Sequence, residues 1–153
     1  MTVSFTVHPG KPEPLGVTVE PGGLNVAVVA PDAAAVEVVL FDADGQAQVG
    51  SAVLPARRAG IHHGFLKGPG AGTRYGLRAY GPYAPERGLR FNPAKLLVDP
   101  YARALDRPFV HDPSLCGTME DGAPDRRDTA DLVPKAIATA PIRATPRPFA
   151  VNR

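Results

Sequence analysis

The chain has 153 residues, a net charge of +2 and a single cysteine. That length suits one domain and is too short for a (β/α)₈ barrel, which takes about 250 residues. One cysteine excludes an internal disulfide and a Cys-based zinc site, and Lys and Arg are scattered rather than gathered into the basic face that nucleic-acid binding requires.

The first five residues, Met1-Thr2-Val3-Ser4-Phe5, lack a basic region followed by an apolar run, so no secretory signal is expected. No stretch approaches the 18 apolar residues of a membrane span. A cytoplasmic protein with no membrane contact is the expectation. With 16 glycines and 18 prolines, turn-rich β-structure fits better than helix.

Residues 1–13 contain Pro9-Gly10 and one more proline, Pro12, and read as a flexible lead-in. Leu15 to Val19 alternates as a half-buried strand does, and Glu20-Pro21-Gly22-Gly23 is a turn. Leu24 to Ala30 and Val36 to Phe41 are β-branched strands. Asp42-Ala43-Asp44-Gly45 closes a hairpin from which Gln46 to Leu54 returns. Ile61 to Leu66 and Thr73 to Tyr80 follow, separated by the glycine-rich Lys67–Gly72, which reads as a hairpin loop. Its lysine precedes the glycines, and a strand rather than a helix follows them, so it does not match a phosphate-binding loop. Short strands at roughly ten-residue intervals predict an all-β, immunoglobulin-like sandwich over residues 14–110.

Beyond Gly81 prolines multiply, and Gly88–Ala102 is dense in capping and fixed-φ residues. Asn92 is placed to cap one helical turn over Ala94–Leu97 opened by Pro93, and Asp99-Pro100 stops it. Asp99 is expected to cap or to form a salt bridge. Arg90, Phe91, Asn92, Pro93, Lys95, Asp99, Pro100 and Tyr101 therefore read as a structural joint between modules. Residues 111–153 have little periodicity and read as a linker or disordered tail, an irregular C-terminal extension of the sandwich.

No residue set points to catalysis. The adjacent His62 and His63 face opposite sides of a strand and cannot share a metal; no metal or cofactor is implied. Asp42 and Asp44 serve a turn, and no serine sits in a nucleophile elbow. Cys116 reads as a buried or inert thiol. Sugar-binding modules stack pyranose rings on exposed aromatic faces. The chain has no tryptophan, so Tyr80, Tyr83 and His62 are the candidate glucan contacts, with packing against the joint as the competing reading for both tyrosines.

Pro14-Leu15-Gly16, Gly23-Leu24-Asn25-Val26-Ala27-Val28, His63-Gly64-Phe65, Gly72 to Arg78, Gly81-Pro82-Tyr83-Ala84-Pro85, Gly88 to Ala102 and Val133-Pro134-Lys135 occur in one order. Together they resemble the N-terminal region of the glycogen-debranching and isoamylase-type enzymes of glycoside hydrolase family 13. The resemblance implies a carbohydrate-binding module family 48 domain that partners a catalytic (β/α)₈ barrel, with α-glucan as a further partner. In that family an Asp nucleophile and a Glu acid in the barrel cleave α-1,6 branches. No position here matches either, so the expectation is a non-catalytic module whose barrel is absent from this chain. The alternatives are an autonomous glycogen-binding protein and a fragment with O-glycosyl hydrolase activity. Two departures stand out: His62 occupies a position where many members carry tryptophan, and the likeness ends after Ala140.

Overall fold

A computed structural model describes residues 5–142, and they form an all-β sandwich of antiparallel strands. The strands are β1 (Thr6–His8), β2 (Gly16–Glu20), β3 (Gly23–Val29), β4 (Ala35–Phe41), β5 (Gln48–Val53), β6 (Ala56–Arg58), β7 (Ile61–Lys67), β8 (Arg74–Tyr80), β9 (Tyr83–Ala84), β10 (Leu89–Arg90) and β11 (Ala136–Ile137). One sheet has the order β1-β7-β3-β2, with β6 also on β7; the other has the order β11-β8-β4-β5. β9 and β10 form a separate ribbon.

The core between the sheets follows from alternation. Val36, Val38 and Leu40 of β4 point inward and meet Leu24 and Val26 of β3, Leu66 of β7, and Tyr75 and Leu77 of β8. The other face of β4 is buried as well: Val39 and Phe41 lie under Leu96 and Val133. Two buried faces explain why β4 reads as an almost continuous apolar run. The covering layer is irregular chain from beyond Phe91, and it makes the second sheet the middle of three layers.

The β4–β5 hairpin forms where the sequence predicts it. Asp42 Oδ1 accepts from the amides of Gln46 and Ala47 at 2.8 and 3.2 Å, which closes the turn through the side chain. Lys67–Gly72, by contrast, is not a hairpin loop. It carries the chain from β7 in one sheet to β8 in the other, tied at its ends by Gly68 N to Gly22 O and Gly72 N to Ala138 O. Glycine spacing reports a tight turn but not which sheet receives the next strand.

The lead-in is not free over its described part. β1 pairs with β7, and the buried Asn25 side chain holds Lys11 as a neighbouring strand would, accepting from its amide at 2.8 Å and donating to its carbonyl at 3.0 Å. Nor are residues 111–142 a linker. β11 adds to the edge of β8, placing Ala136 and Ala138 in the main core and Val133 in the second cluster. A two-residue strand anchored by buried side chains carries no periodicity for a sequence pattern to show. Arg143–Arg153, the last part of that expected tail, lie outside the described residues.

Candidate functional site

The joint between Gly88 and Ala102 is built by side chains that turn inward. Gly88 ends a short 3₁₀ turn with φ 76° and donates its amide to Pro85 O at 3.0 Å. Arg90 then pairs with Tyr83 in the β9–β10 ribbon. Asn92 does cap, but it caps a single tight turn: Oδ1 accepts from Ala94 N and the backbone carbonyl accepts from Lys95 N. No helical turn over Ala94–Leu97 follows. Leu97 instead extends and exchanges two backbone hydrogen bonds with Leu77, at 2.8 and 2.9 Å. The open β8 backbone and the pocket over Gly76 hold this stretch straighter than its local capping pattern predicts.

Two glycines receive the joint. A Cβ on Gly76 would stand 2.7 Å from Leu96 Cδ1, and one on Gly16 would stand 2.6 Å from the Tyr101 Cβ. Gly81 lies equally close under the Phe91 ring. Absent side chains on the sandwich are what let the joint lie flat upon it.

The joint's charged groups are mostly spent internally. Lys95, 7 % exposed, donates from Nζ to Ser114 O at 2.7 Å and Arg127 O at 2.8 Å, with Asp125 at 3.4 Å. Asp125 is also gripped by Arg127, whose guanidinium and amide hold its carboxyl far below the ordinary carboxylate range. Arg78 reaches from β8 to Pro93 O and takes Asp128 in a two-pronged pair at 2.9 and 3.0 Å. Asp99 makes no salt bridge among the described residues. It accepts from Tyr101 N at 2.9 Å and from the Tyr75 hydroxyl at 2.7 Å, and burial followed by this carboxylate pushes the Tyr75 phenol well above its usual range. Pro93 sets the turn and offers its carbonyl to Arg78; Pro100 and Tyr101 stand at the surface.

Outside the joint, sequence reasoning missed Lys135, which is fully buried. Its Nζ donates to Val133 O and sits 4.8 Å from the Phe41 ring centroid. Burial holds its pKa below the usual lysine value. Beside it Asp106 accepts from Lys135 N at 2.8 Å and pairs with Arg107 at 2.7 Å; Arg107 also donates to the carbonyls of Asp44 and Gly45. The Val133-Pro134-Lys135 run was the only sequence signal for this cluster.

The aromatic candidates fare unequally. Tyr80 is 37 % exposed, but its hydroxyl donates to Glu37 Oε2 at 2.7 Å. Tyr83 is partly buried and carries its hydroxyl to the segment beyond the joint, 2.8 Å from Thr118 Oγ1 and donating to Gly122 O at 3.1 Å. His62 offers no surface: it is 3 % exposed and Nε2 lies 3.1 Å from Ala30 O, with burial lowering its pKa. A β7 residue beside β3 is interior to the sheet, and adjacency in sequence to His63 gave no hint of which face it takes. Tyr80, Tyr83 and His62 therefore do not present a shared stacking platform. Cys116, read from the sequence as a buried or inert thiol, is exposed, because it follows the 3₁₀ turn at Pro113–Leu115.

What the joint leaves open is a trough. Two adjoining cavities of about 460 and about 500 Å³ share Asp32, Ala79, Phe91 and Leu97 in their walls. Among the described residues, Leu97, Tyr101, Leu105, Phe109, Val110 and Met119 are large apolar side chains left exposed by the irregular layer. No group of three or more His, Cys, Asp or Glu among the described residues is placed to hold a metal, and no described helix is long and apolar enough to cross a membrane.

Residues 14–102 match the family model of carbohydrate-binding module 48, the isoamylase N-terminal domain. The glycogen debranching enzyme of Yersinia enterocolitica is 46% identical over 132 residues, which cover 86% of this chain and 19% of the relative. The glycogen debranching enzyme of Pectobacterium atrosepticum is 46% identical over 131 residues, with the same coverage. The chain thus spans about a fifth of the length of these curated relatives. Among solved structures, the catalytic module of the pneumococcal glycogen-degrading virulence factor SpuA aligns with a TM-score of 0.54 at 20% identity, over 85% of this chain and 17% of that one. An Anoxybacillus pullulanase complexed with maltotetraose aligns with a TM-score of 0.53 at 15% identity, over 90% and 16%. These two likenesses concern the fold.

Proposed function

Because the chain belongs to the carbohydrate-binding module 48 family, the isoamylase N-terminal domain, we propose that it is the non-catalytic N-terminal module of a glycogen debranching enzyme. Its partner is a catalytic domain of the kind that makes up the rest of such enzymes, and its role is to support that domain as it acts on a branched α-glucan. The observation that carries this reading is the alignment: 46% identity over 132 residues that amount to 19% of an enzyme named for debranching. The inward-turned chemistry agrees with it. Asn92, Lys95 and Asp99 are committed to carbonyls, amides and a phenol of the same chain, which suits a joint better than an acid–base site. The module extends past the family match through Ala138, because Ala136 and Ala138 belong to its core.

The test compares the chain alone with a chimera in which it replaces the matched 132 residues of the Yersinia enterocolitica enzyme. The chain alone is expected to release no reducing ends from glycogen, and the chimera is expected to debranch. Release of reducing ends by the chain alone would make it a hydrolase and end this reading. Retardation of the chain in a glycogen-containing gel, abolished by Tyr80→Ala or Tyr83→Ala, would instead support an autonomous glycogen-binding protein.

A further inference from the structure

The geometry points to the free edge of β5 as a pairing surface, and we propose that its occupant is β5 of a second copy of this chain, joined antiparallel about a two-fold axis at Ala52. The sheets of the two copies that contain β5 then run on as one. The pairing goes beyond the module reading above, and neither depends on the other.

β5 stands at the end of the order β11-β8-β4-β5. A free strand edge presents unpaired amides and carbonyls, and folded proteins blunt it with charge, proline, short length or cover. The other edges of the described sandwich are blunted in these ways. β11 is closed by residues 104–106, through Ile137 N to Ala104 O and Asp106 N to Lys135 O, each at 2.9 Å. β2 carries the ion pair of Glu20 with Lys11 at 3.0 Å and has Tyr101 standing against Gly16. β6 carries Arg57 and Arg58, and β1 is three residues long. β5, by contrast, is six residues long, Gln48-Val49-Gly50-Ser51-Ala52-Val53, with neither a charge nor a proline.

The register with β4 says which backbone groups are free. Leu54 N donates to Val36 O, and in an antiparallel ladder the hydrogen-bonded pairs alternate. Ala52 and Leu54 therefore turn their backbone groups to β4, and Ser51 and Val53 aim theirs outward, where no described residue bonds them. The bulge of this pair lies at its Leu40/Phe41 end, clear of both residues. A two-fold at Ala52 sets Ser51 opposite Val53 of the second copy, and Val53 opposite its Ser51, so that each pair exchanges two hydrogen bonds. It also places a side chain beside Val53, which is 54 % exposed. Charge favours a second β5 over a foreign strand. Antiparallel pairing about Ala52 brings Arg58 level with Gln46 of the second copy, two residues from Asp44. Arg57, Arg58 and Asp44 are all exposed, and the two-fold repeats this approach of opposite charges at both ends of the pair.

Sedimentation equilibrium of the 153-residue chain over a concentration series tests the pairing. One strand edge makes a small interface, and small interfaces are weak, so the series extends to high concentration. The weight-average mass is expected to rise from 16.1 kDa toward twice that value. Ser51→Pro removes an outward donor and leaves β4 its bonds, a substitution that an edge strand accepts. Val53→Lys adds the charge that blunts an edge. Each change acts twice in the pair, so each is expected to weaken association about tenfold while near-UV circular dichroism stays that of the parent. If Ser51→Pro loses that spectrum, Val53→Lys decides alone. Val29→Lys, at an equally exposed site on β3, is expected to leave association unchanged. A chain that stays monomeric throughout the series overturns the proposal. So does association that the β5 variants leave unmoved, or that Val29→Lys weakens as much, since it then belongs to another face. None of these outcomes bears on the module reading, which the chimera tests.

Discussion

Tyr75 lies 2 % exposed in the centre of the sandwich, apolar around its ring and polar only at its hydroxyl, and Asp99 supplies the partner from 24 residues further on. The same carboxylate accepts from Tyr101 N, so one side chain fixes the core to the joint. Truncating it strands a buried phenol and removes the brace on the joint's last turn. Asp99→Ala is expected to cost about 2 kcal/mol and to lower Tm by about 6 °C, read by thermal melting. Tyr75→Phe placed on top of Asp99→Ala should add much less than it does alone, because the two groups form one interaction. Additive losses would show that the pair is not coupled. Asn25 works by the same logic at the other edge, where its amide replaces a strand for Lys11.

Among the elements, the segment from Asp112 to Ala138 decides whether the sandwich closes. It places Thr129 Oγ1 on Leu96 N at 3.0 Å, Asp125 on Lys95, Asp128 on Arg78 and β11 on β8. A chain ending at residue 110 leaves Val39, Phe41 and Leu96 without their cover, removes Ala136 and Ala138 from the core, and strips the buried Lys95 of its partners. Losing the burial of a Val, Leu or Phe side chain costs about 1.5–3 kcal/mol each, so uncovering this cluster removes a large fraction of the stability of about 5–15 kcal/mol that domains have. Residues 1–110 are therefore expected to show no cooperative thermal transition by near-UV circular dichroism, whereas residues 1–142 are expected to show one. A cooperative melt for the shorter chain would place the boundary of the folding unit near the end of the family match instead.

For the whole molecule, the fastening of its third layer sets an acid limit. Asp106, Asp112, Asp125 and Asp128 all have pKa values held below the ordinary carboxylate value. For Asp112 and Asp125 the largest cause is hydrogen bonding, to Ser114 and to Arg127; for Asp106 and Asp128 burial opposes the shift and bonds to Arg107 and Lys135, and to Ala130 and Arg78, outweigh it. A carboxylate depressed in the folded state contributes stability that is present above its unfolded value of about 3.9 and is lost as pH falls through the folded value. The urea midpoint is expected to hold between pH 7 and pH 5 so far as these groups are concerned, and to fall steeply below about pH 4; a midpoint at pH 3 equal to that at pH 6 would show that the third layer is not fastened by these pairs. The sandwich itself was legible in the amino-acid order. Period-2 alternation and turn residues located β2 to β5, β7 and β8 because those signals are local and survive in any context. The cap at Asn92 was legible because caps and prolines act on their immediate neighbours, although the helical turn expected after it gives way to the pairing of Leu97 with Leu77. What residues 111–142 do was not, since Lys135, Thr129 and Asp125 are buried by partners that lie 29 to 33 residues away, and a polar residue carries no mark of such distant company. By itself, then, the sequence determined the longer strands β2 to β5, β7 and β8, the β4–β5 turn and the family; only the tertiary structure decided which sheet each strand joins, where the short edge strands lie, which side of the joint turns inward, and which apolar side chains remain exposed, because those depend on contacts between segments that no local pattern encodes.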